Sequence, residues 1–360
     1  MISNCYIHIP FCEKICSYCD FCKMFYNEKI VDQYLNELER EISSIYRGEV
    51  LDTIYIGGGT PSSLSVEQLK RLFSITNKLN TSGDCEFTIE ANFENTTFEK
   101  LQLFKNSGIN RLSFGLETIN KDGLGLLERN FTEEKVINVI KMAKEMGFNN
   151  INVDLMYALP KETIEDLEKD LDFIFSLDVE HVSCYSLIVE EHTKLAINNT
   201  SNIDEDLDFD MYNTICDKMA DKEYVHYEIS NYSKEGYFSK HNLCYWKNKE
   251  YYGFGLGASS YIDNRRINNT RSINKYLEGK YVLNFEELGK EDLFEYEVML
   301  NLRKKDGIDL DKIYDKYGMY LNYDWLVKLG LLEKCNNRLF IPEDKWYISN
   351  EIIVRLLEGE

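Results

Sequence analysis

Cys12, Cys16 and Cys19 are spaced Cys-x3-Cys-x2-Cys and follow directly on the run Tyr6-Ile7-His8-Ile9-Pro10-Phe11. Thiolates at this spacing can reach one iron–sulfur cubane from a single loop. Three ligands leave one iron of a [4Fe-4S] cluster without a protein ligand. That open iron can chelate the amino and carboxylate groups of S-adenosylmethionine. Electron transfer into the sulfonium then breaks a carbon–sulfur bond and releases a 5′-deoxyadenosyl radical, and this chemistry belongs to the cofactor rather than to the protein. Competing readings use the same residues. A zinc site usually wants two separated ligand pairs, and no second Cys-x2-Cys or His pair follows downstream. A ferredoxin-type cluster would use four thiols, with Cys22 as the fourth. Plain buried cysteines rarely cluster so densely. The spacing favours the open iron over these.

These thiols need elements to position them, and the chain supplies a regular alternation. Strands are predicted at Cys5–Ile9, Thr53–Ile56, Glu86–Ile89, Arg111–Gly115, Ile151–Leu155 and His181–Ser186. The first helix shows Val31, Tyr34, Leu35, Leu38, Ile42 and Ile45 on one face, and Ser65–Leu79, Phe98–Ser107, Thr132–Met146 and Thr163–Leu177 repeat the pattern. Six strand–helix units in succession predict an α/β fold with a parallel sheet and helices outside, a partial (β/α)6 barrel. Sites should then gather at the C-terminal ends of the strands. This part is assigned to residues 1–222. Residues 223–288 read as a connecting region with a strand at Tyr224–Asn231, a loop, and a turn cluster at Gly253–Gly257. Residues 289–360 carry three helical stretches and a short strand, Arg338–Ile341, which suggests a small winged-helix-like module.

Composition bounds the partners. The 360 residues include 62 acidic and 41 basic side chains, for a net charge of −21. A general nucleic-acid surface is not expected, because phosphate binding needs clustered positive charge. No stretch approaches the ~20 apolar residues of a membrane span, so membrane association is at most peripheral. The N-terminal residues carry neither a basic segment nor a long apolar run, and a cytoplasmic, reducing setting is expected. There the 10 cysteines, four of them within residues 12–22, argue for metal or redox chemistry over a disulfide framework.

The three-cysteine motif after a first strand resembles that of the radical S-adenosylmethionine superfamily. Tyr6–Cys12, Gly57-Gly58-Gly59-Thr60-Pro61-Ser62, Asn152–Pro160 and Tyr227–Tyr232 narrow the likeness to the family of anaerobic coproporphyrinogen III oxidases, over nearly the whole chain. Within it, the sequence is most similar to the heme-chaperone branch. Oxidase members typically have a further cysteine two residues after the third ligand and an N-terminal extension of about 50 residues. Here Phe21 stands at that position, and Cys22 falls one place beyond it. Cys19-Asp20-Phe21 and His241-Asn242-x-x-Tyr245-Trp246 match the chaperone pattern.

The resemblance implies a [4Fe-4S] cluster on Cys12, Cys16 and Cys19, S-adenosylmethionine held by Tyr6, Gly58 and Glu90, and heme as a further ligand. It also implies a heme-acceptor protein and an electron donor such as flavodoxin or ferredoxin. The function so implied is heme binding and transfer. The alternatives are oxygen-independent coproporphyrinogen III oxidation, or methyl or methylene transfer from a second S-adenosylmethionine to a tetrapyrrole or other small molecule, so catalysis stays open. Tyr18, Gly59, Thr60, Glu117, Arg129, Asp154 and Ile188 match the oxidase positions for a second S-adenosylmethionine. Glu117 departs from the usual glutamine, exchanging a group that both donates and accepts for one that only accepts, and Phe93 replaces a usual proline. Arg129 and Asp154 can instead pair with each other or face the first cofactor. His241 is the candidate heme ligand, since imidazole is a common axial ligand, with Tyr245 and Trp246 placed to stack on a porphyrin. A plain surface histidine in a loop is its bland reading. His8 follows the strand alternation and reads as a satisfied core or pocket histidine, and Tyr6 shares its face.

Overall fold

Side chains that alternate between two environments set the architecture, seen here in a computed structural model that describes residues 2–359; residues 1 and 360, the outer bounds of the expected regions, lie outside the described residues. The six barrel strands are β1 (Asn4–Ile9), β2 (Leu51–Gly58), β3 (Thr81–Ala91), β4 (Arg111–Glu117), β5 (Ile151–Tyr157) and β6 (His181–Ser186). They lie side by side in that order, all parallel. Cys5, Ile7, Ile54, Ile56, Ile89, Leu112, Phe114, Val153 and Val182 form one buried face under the helices. The opposite parity carries Tyr6, His8, Thr53, Tyr55, Glu86, Glu90, Arg111, Ser113, Asn152, Asp154, His181 and Ser183 into the barrel. An interior this polar stays stable only if its groups are bonded to one another, because an unpaired buried polar group costs about 1–3 kcal/mol.

Outside pack α1 (Glu28–Ile45), α2 (Val66–Thr76), α3 (Phe98–Asn106), α4 (Glu133–Glu145), α5 (Ile164–Ser176) and α6 (Glu205–Asp221). The first five begin at Asn27, Ser65, Thr97, Thr132 and Thr163, whose side-chain oxygens each accept a backbone N–H from the first turn. These are N-caps, each worth about 1 kcal/mol, so Ser65, Thr132 and Thr163 stand just before their helices rather than in them.

The sheet grows beyond six strands. β7 (Val225–Glu228) and β8 (Asn231–Ser233) form an antiparallel extension on β6, and β9 (Tyr252–Phe254) adds in parallel to β1. The order β9-β1-β2-β3-β4-β5-β6-β8-β7 has two free ends, so the barrel is open. β9 corrects the turn expected at Gly253–Gly257: only Gly255 and Gly257, with φ of 101° and 73°, make the turn. A Cβ on Gly253 would lie 1.8 Å from the Ser259 carbonyl oxygen, so glycine there admits the strand Ser259–Ile262 of a three-stranded antiparallel sheet.

The chain from Lys290 to Glu358 has a core of its own around Phe294, Val298, Leu302, Leu326, Leu339, Trp346 and Ile353. Its helices accompany a three-stranded antiparallel sheet of Ile308–Asp309, Arg338–Phe340 and Glu333–Cys335, where the sequence predicts one strand. No helix among the described residues is long and apolar enough to cross a membrane.

Candidate functional site: a cysteine-lined cavity at the C-terminal mouth of the barrel

A cavity of about 630 Å³ opens at the C-terminal ends of the strands. Its wall includes Cys12, Cys16, Tyr18, Cys19, Gly58, Gly59, Thr60, Glu90, Glu117, Arg129, Asp154 and Ile188. These are all the residues expected to hold the cluster or a cofactor except Tyr6 and His241.

The cysteine loop is anchored on both sides. Phe11–Cys12 pairs with Met24–Phe25, and the Phe11 carbonyl accepts the Thr60 N–H at 2.9 Å. A Cβ on Gly59 would stand 2.8 Å from the Pro10 carbonyl carbon and 2.9 Å from Cys12 Sγ, so glycine is what lets the β2 terminus approach the first thiol. Burial pushes the Cys12 thiol up to about 11, against a bond from Thr60, and raises Cys16 and Cys19 as well. Among the described residues no group of three or more His, Cys, Asp or Glu side chains is arranged to hold a metal ion. The donor set itself, three thiols on one loop facing a cavity with room for a second ligand, fits a cluster with one open iron. Cys22 does not line this cavity; it faces a second one of about 530 Å³ beside Gly257 and Arg271.

Glu90 closes the near wall. Its Oε2 accepts the Gly58 N–H at 2.9 Å and its Oε1 the Tyr55 hydroxyl at 2.9 Å. Enclosure raises its carboxyl above the usual range, opposed by those two bonds. A Cβ on Gly57 would fall 2.7 Å from the Glu90 carboxyl carbon, so the β2 glycines admit this side chain.

The far wall is built around Glu117. The β4–β5 register slips between Gly115 and Glu117, and Glu117 sits at φ 67°, a left-handed conformation that re-aims its side chain into the cavity. Its two oxygens accept the hydroxyls of Tyr18 at 2.8 Å and Tyr185 at 2.5 Å. Arg129 lies 4.0 Å from Glu117, pairs with Glu94 at 3.3 Å, and donates to the Gly115 carbonyl at 2.8 Å. Burial acts against its charge, but Glu94 and Glu117 together hold the guanidinium firmly protonated. Of the two alternatives for Arg129 and Asp154, the mutual ion pair is not formed, and both side chains line the cavity. Asp154 instead accepts from Asn152 at 2.7 Å, and burial, followed by the charge of Glu117, pushes its carboxyl up to about 7. Thus the acceptor-only Glu117 is satisfied by two tyrosines. Tyr185 was not singled out from the sequence; its place at the end of β6 was the available signal.

Two residues stand elsewhere. Tyr6 lines the second cavity, where its hydroxyl lies 2.9 Å from His8 Nδ1. His8 Nε2 lies 2.7 Å from the Cys22 carbonyl oxygen. That oxygen only accepts, so Nε2 carries the proton and Tyr6 donates to Nδ1. His8 is therefore the satisfied interior histidine expected.

His241 is in neither a loop nor an open pocket. It lies on α7 (Lys240–Trp246), which plugs the N-terminal end of the barrel. The Lys240 and His241 N–H groups donate to Glu86 at 3.0 and 2.9 Å. Thr53 Oγ1 lies 2.7 Å from His241 Nδ1 and donates onward to Asn4, so Nδ1 carries the proton. Nε2 then accepts from the Tyr245 hydroxyl at 2.8 Å. Both nitrogens are engaged and the side chain is buried, so as it stands His241 offers no lone pair to a heme iron, which corrects its expected place as an accessible ligand. Tyr245 packs edge-on against His241 and Tyr251, and the Arg303 guanidinium lies over Trp246. Burial, then Arg111, lowers the His241 imidazole from 6.5 to about 3. A group depressed in this way favours folding above its unfolded value and loses that contribution as pH falls toward the folded one. The His241 ring resonance is expected to show no titration between pH 8 and 5; a midpoint between 6 and 7 would contradict the sealed floor.

Residues 6–174 match the model of the radical SAM superfamily. The heme chaperone HemW of Bacillus subtilis is 39% identical over 371 aligned positions, covering 98% of each chain. The chain belongs to the family of the heme chaperone HemW. The HemW of Lactococcus lactis is 40% identical over 99% of this chain and 97% of its own, and that of Escherichia coli 31% identical over 77% and 76%. The solved structure of Escherichia coli coproporphyrinogen III oxidase, HemN, a radical SAM enzyme, matches with a TM-score of 0.87 over 100% of this chain and 90% of that chain, at 22% identity. This HemN likeness shows the fold, the radical SAM α/β architecture, across the HemW-type chain from β1 to the C-terminal helices.

Proposed function

We propose that this chain is a heme chaperone: a cytoplasmic protein that binds heme and transfers it to an acceptor protein, with a [4Fe-4S] cluster on Cys12, Cys16 and Cys19 and S-adenosylmethionine at Gly58–Thr60 and Glu90. The observation that carries the reading is the 39–40% identity to HemW heme chaperones along 98–99% of this chain. The cavity supports the cofactor part. When bound, a cluster with one open iron and S-adenosylmethionine supply reductive carbon–sulfur cleavage. The chain's own residues shape where that happens. Gly58 and Gly59 let the β2 backbone close on the cysteine loop, Glu90 offers a carboxylate beside them, and Tyr18, Tyr185 and Glu117 wall the far side. A small electron-transfer protein such as flavodoxin or ferredoxin would reduce the cluster. Heme transfer itself asks only for binding and release, with no covalent step.

The competing activity is tested directly. The reconstituted protein, given S-adenosylmethionine, reductant and coproporphyrinogen III, is expected to form no protoporphyrinogen IX. Sustained decarboxylation would overturn the chaperone reading in favour of the oxidase.

A further inference from the structure

The barrel floor and the cavity mouth are joined by one line of contacts. His241 stacks on Tyr55, with ring centroids 5.1 Å apart and planes 28° from parallel. The Tyr55 hydroxyl donates to Glu90 Oε1, and Glu90 Oε2 receives the Gly58 N–H. His241 is itself fixed from three sides, by Thr53 on β2, by Glu86 on β3 and by Tyr245 on its own helix. The His241 end of this line is buried, while Tyr55, Glu90 and Gly58 are half-buried and line the cavity itself, so the line runs from the floor to the ligand space. Gly57 makes room for the Glu90 carboxylate, since a Cβ there would stand 2.7 Å from its carboxyl carbon, and the two hydrogen bonds then set its direction.

We infer that His241 and Tyr55 are positioning residues for the S-adenosylmethionine site: the helix that plugs the floor sets the Tyr55 ring, and Tyr55 aims Glu90 and the Gly58 amide at the cofactor. This rests on the reading that Gly58 and Glu90 hold S-adenosylmethionine. It gives the His-Asn-x-x-Tyr-Trp segment a task at the N-terminal end of the barrel that needs no contact with heme. Loss of the Tyr55 hydroxyl leaves one carboxylate oxygen without its partner and lets the side chain turn away from Gly58.

The test uses the full chain, reconstituted anaerobically, with S-adenosylmethionine titrated against the electron paramagnetic resonance signal of the reduced cluster. Tyr55→Phe removes a single oxygen and is expected to weaken binding about tenfold, the size of a lost hydrogen bond to a charged group. His241→Ala is expected to weaken it by a similar factor, with iron content unchanged in both. Glu90→Ala supplies the readout that loose packing would not move: in that background Tyr55→Phe should have little further effect, because the pair acts as one unit. Wild-type affinity in Tyr55→Phe, or losses that multiply in full with Glu90→Ala, would overturn the inference. If His241→Ala fails to fold, the Tyr55–Glu90 cycle decides alone. A wild-type chain whose signal ignores S-adenosylmethionine would overturn the cofactor reading and this inference together, whereas a responsive wild type with unaffected variants overturns this inference only.

Discussion

Alanine in place of Cys12, Cys16 or Cys19 is expected to abolish the broad iron–sulfur absorbance of the reconstituted protein, while Cys22→Ala retains it in full. The three thiols share one cavity wall, and with one already missing, removal of a second ligand position leaves a cubane only two anchors. Cys22 sits on the other side of the loop. Its carbonyl oxygen holds His8, and its thiol packs where a Cβ on Gly257 would come within 2.8 Å of the sulfur. It also lines a cavity that Cys12, Cys16 and Cys19 do not reach. A cluster lost in Cys22→Ala would mean four protein ligands and no open iron. The comparison is read from iron content and absorbance on the same preparations.

Gly58→Val is expected to weaken S-adenosylmethionine binding about a hundredfold or more. Gly58 has φ +116°, where a side chain is strained, and a Cβ there would stand 2.5 Å from His8 Cε1. Left-handed strain and overpacking each cost about 1–3 kcal/mol, and every 1.4 kcal/mol is about tenfold in affinity. The displacement also reaches the cysteine loop, because His8 is bonded to Cys22. Gly83→Ala is the control: nothing lies within 4 Å of its added carbon, and binding should not change. Equal affinity in Gly58→Val and wild type would remove this glycine from the cofactor site.

The barrel was legible because its signals are local. Apolar parity placed all six strands, helical periodicity placed five helices, and the cysteine spacing needs only one loop. The cavity wall was legible for a related reason: Gly58, Glu90, Glu117 and Asp154 lie at or near strand C-termini, where parallel α/β folds collect their sites. What escaped depended on distant partners. Gly253 reads as a turn residue until Ser259 is seen against it. Lys240–Trp246 is too short to show helical periodicity, and its start is fixed by Glu86, more than 150 residues earlier in the chain. His241 looked like a ligand because imidazole suits iron. Thr53 and Tyr245, which occupy its nitrogens, are joined to it only by the fold. Tyr185 carries no motif, and only the bulge at Glu117 brings it into use.

As a heme chaperone, this chain should carry heme rather than convert a porphyrinogen. The most direct measurement is gel filtration of the purified 360-residue chain after incubation with heme, read at the Soret band. A Soret band is expected to co-elute with the protein and to move to an added acceptor protein. Heme lost entirely on the column, together with steady turnover of coproporphyrinogen III, would contradict it.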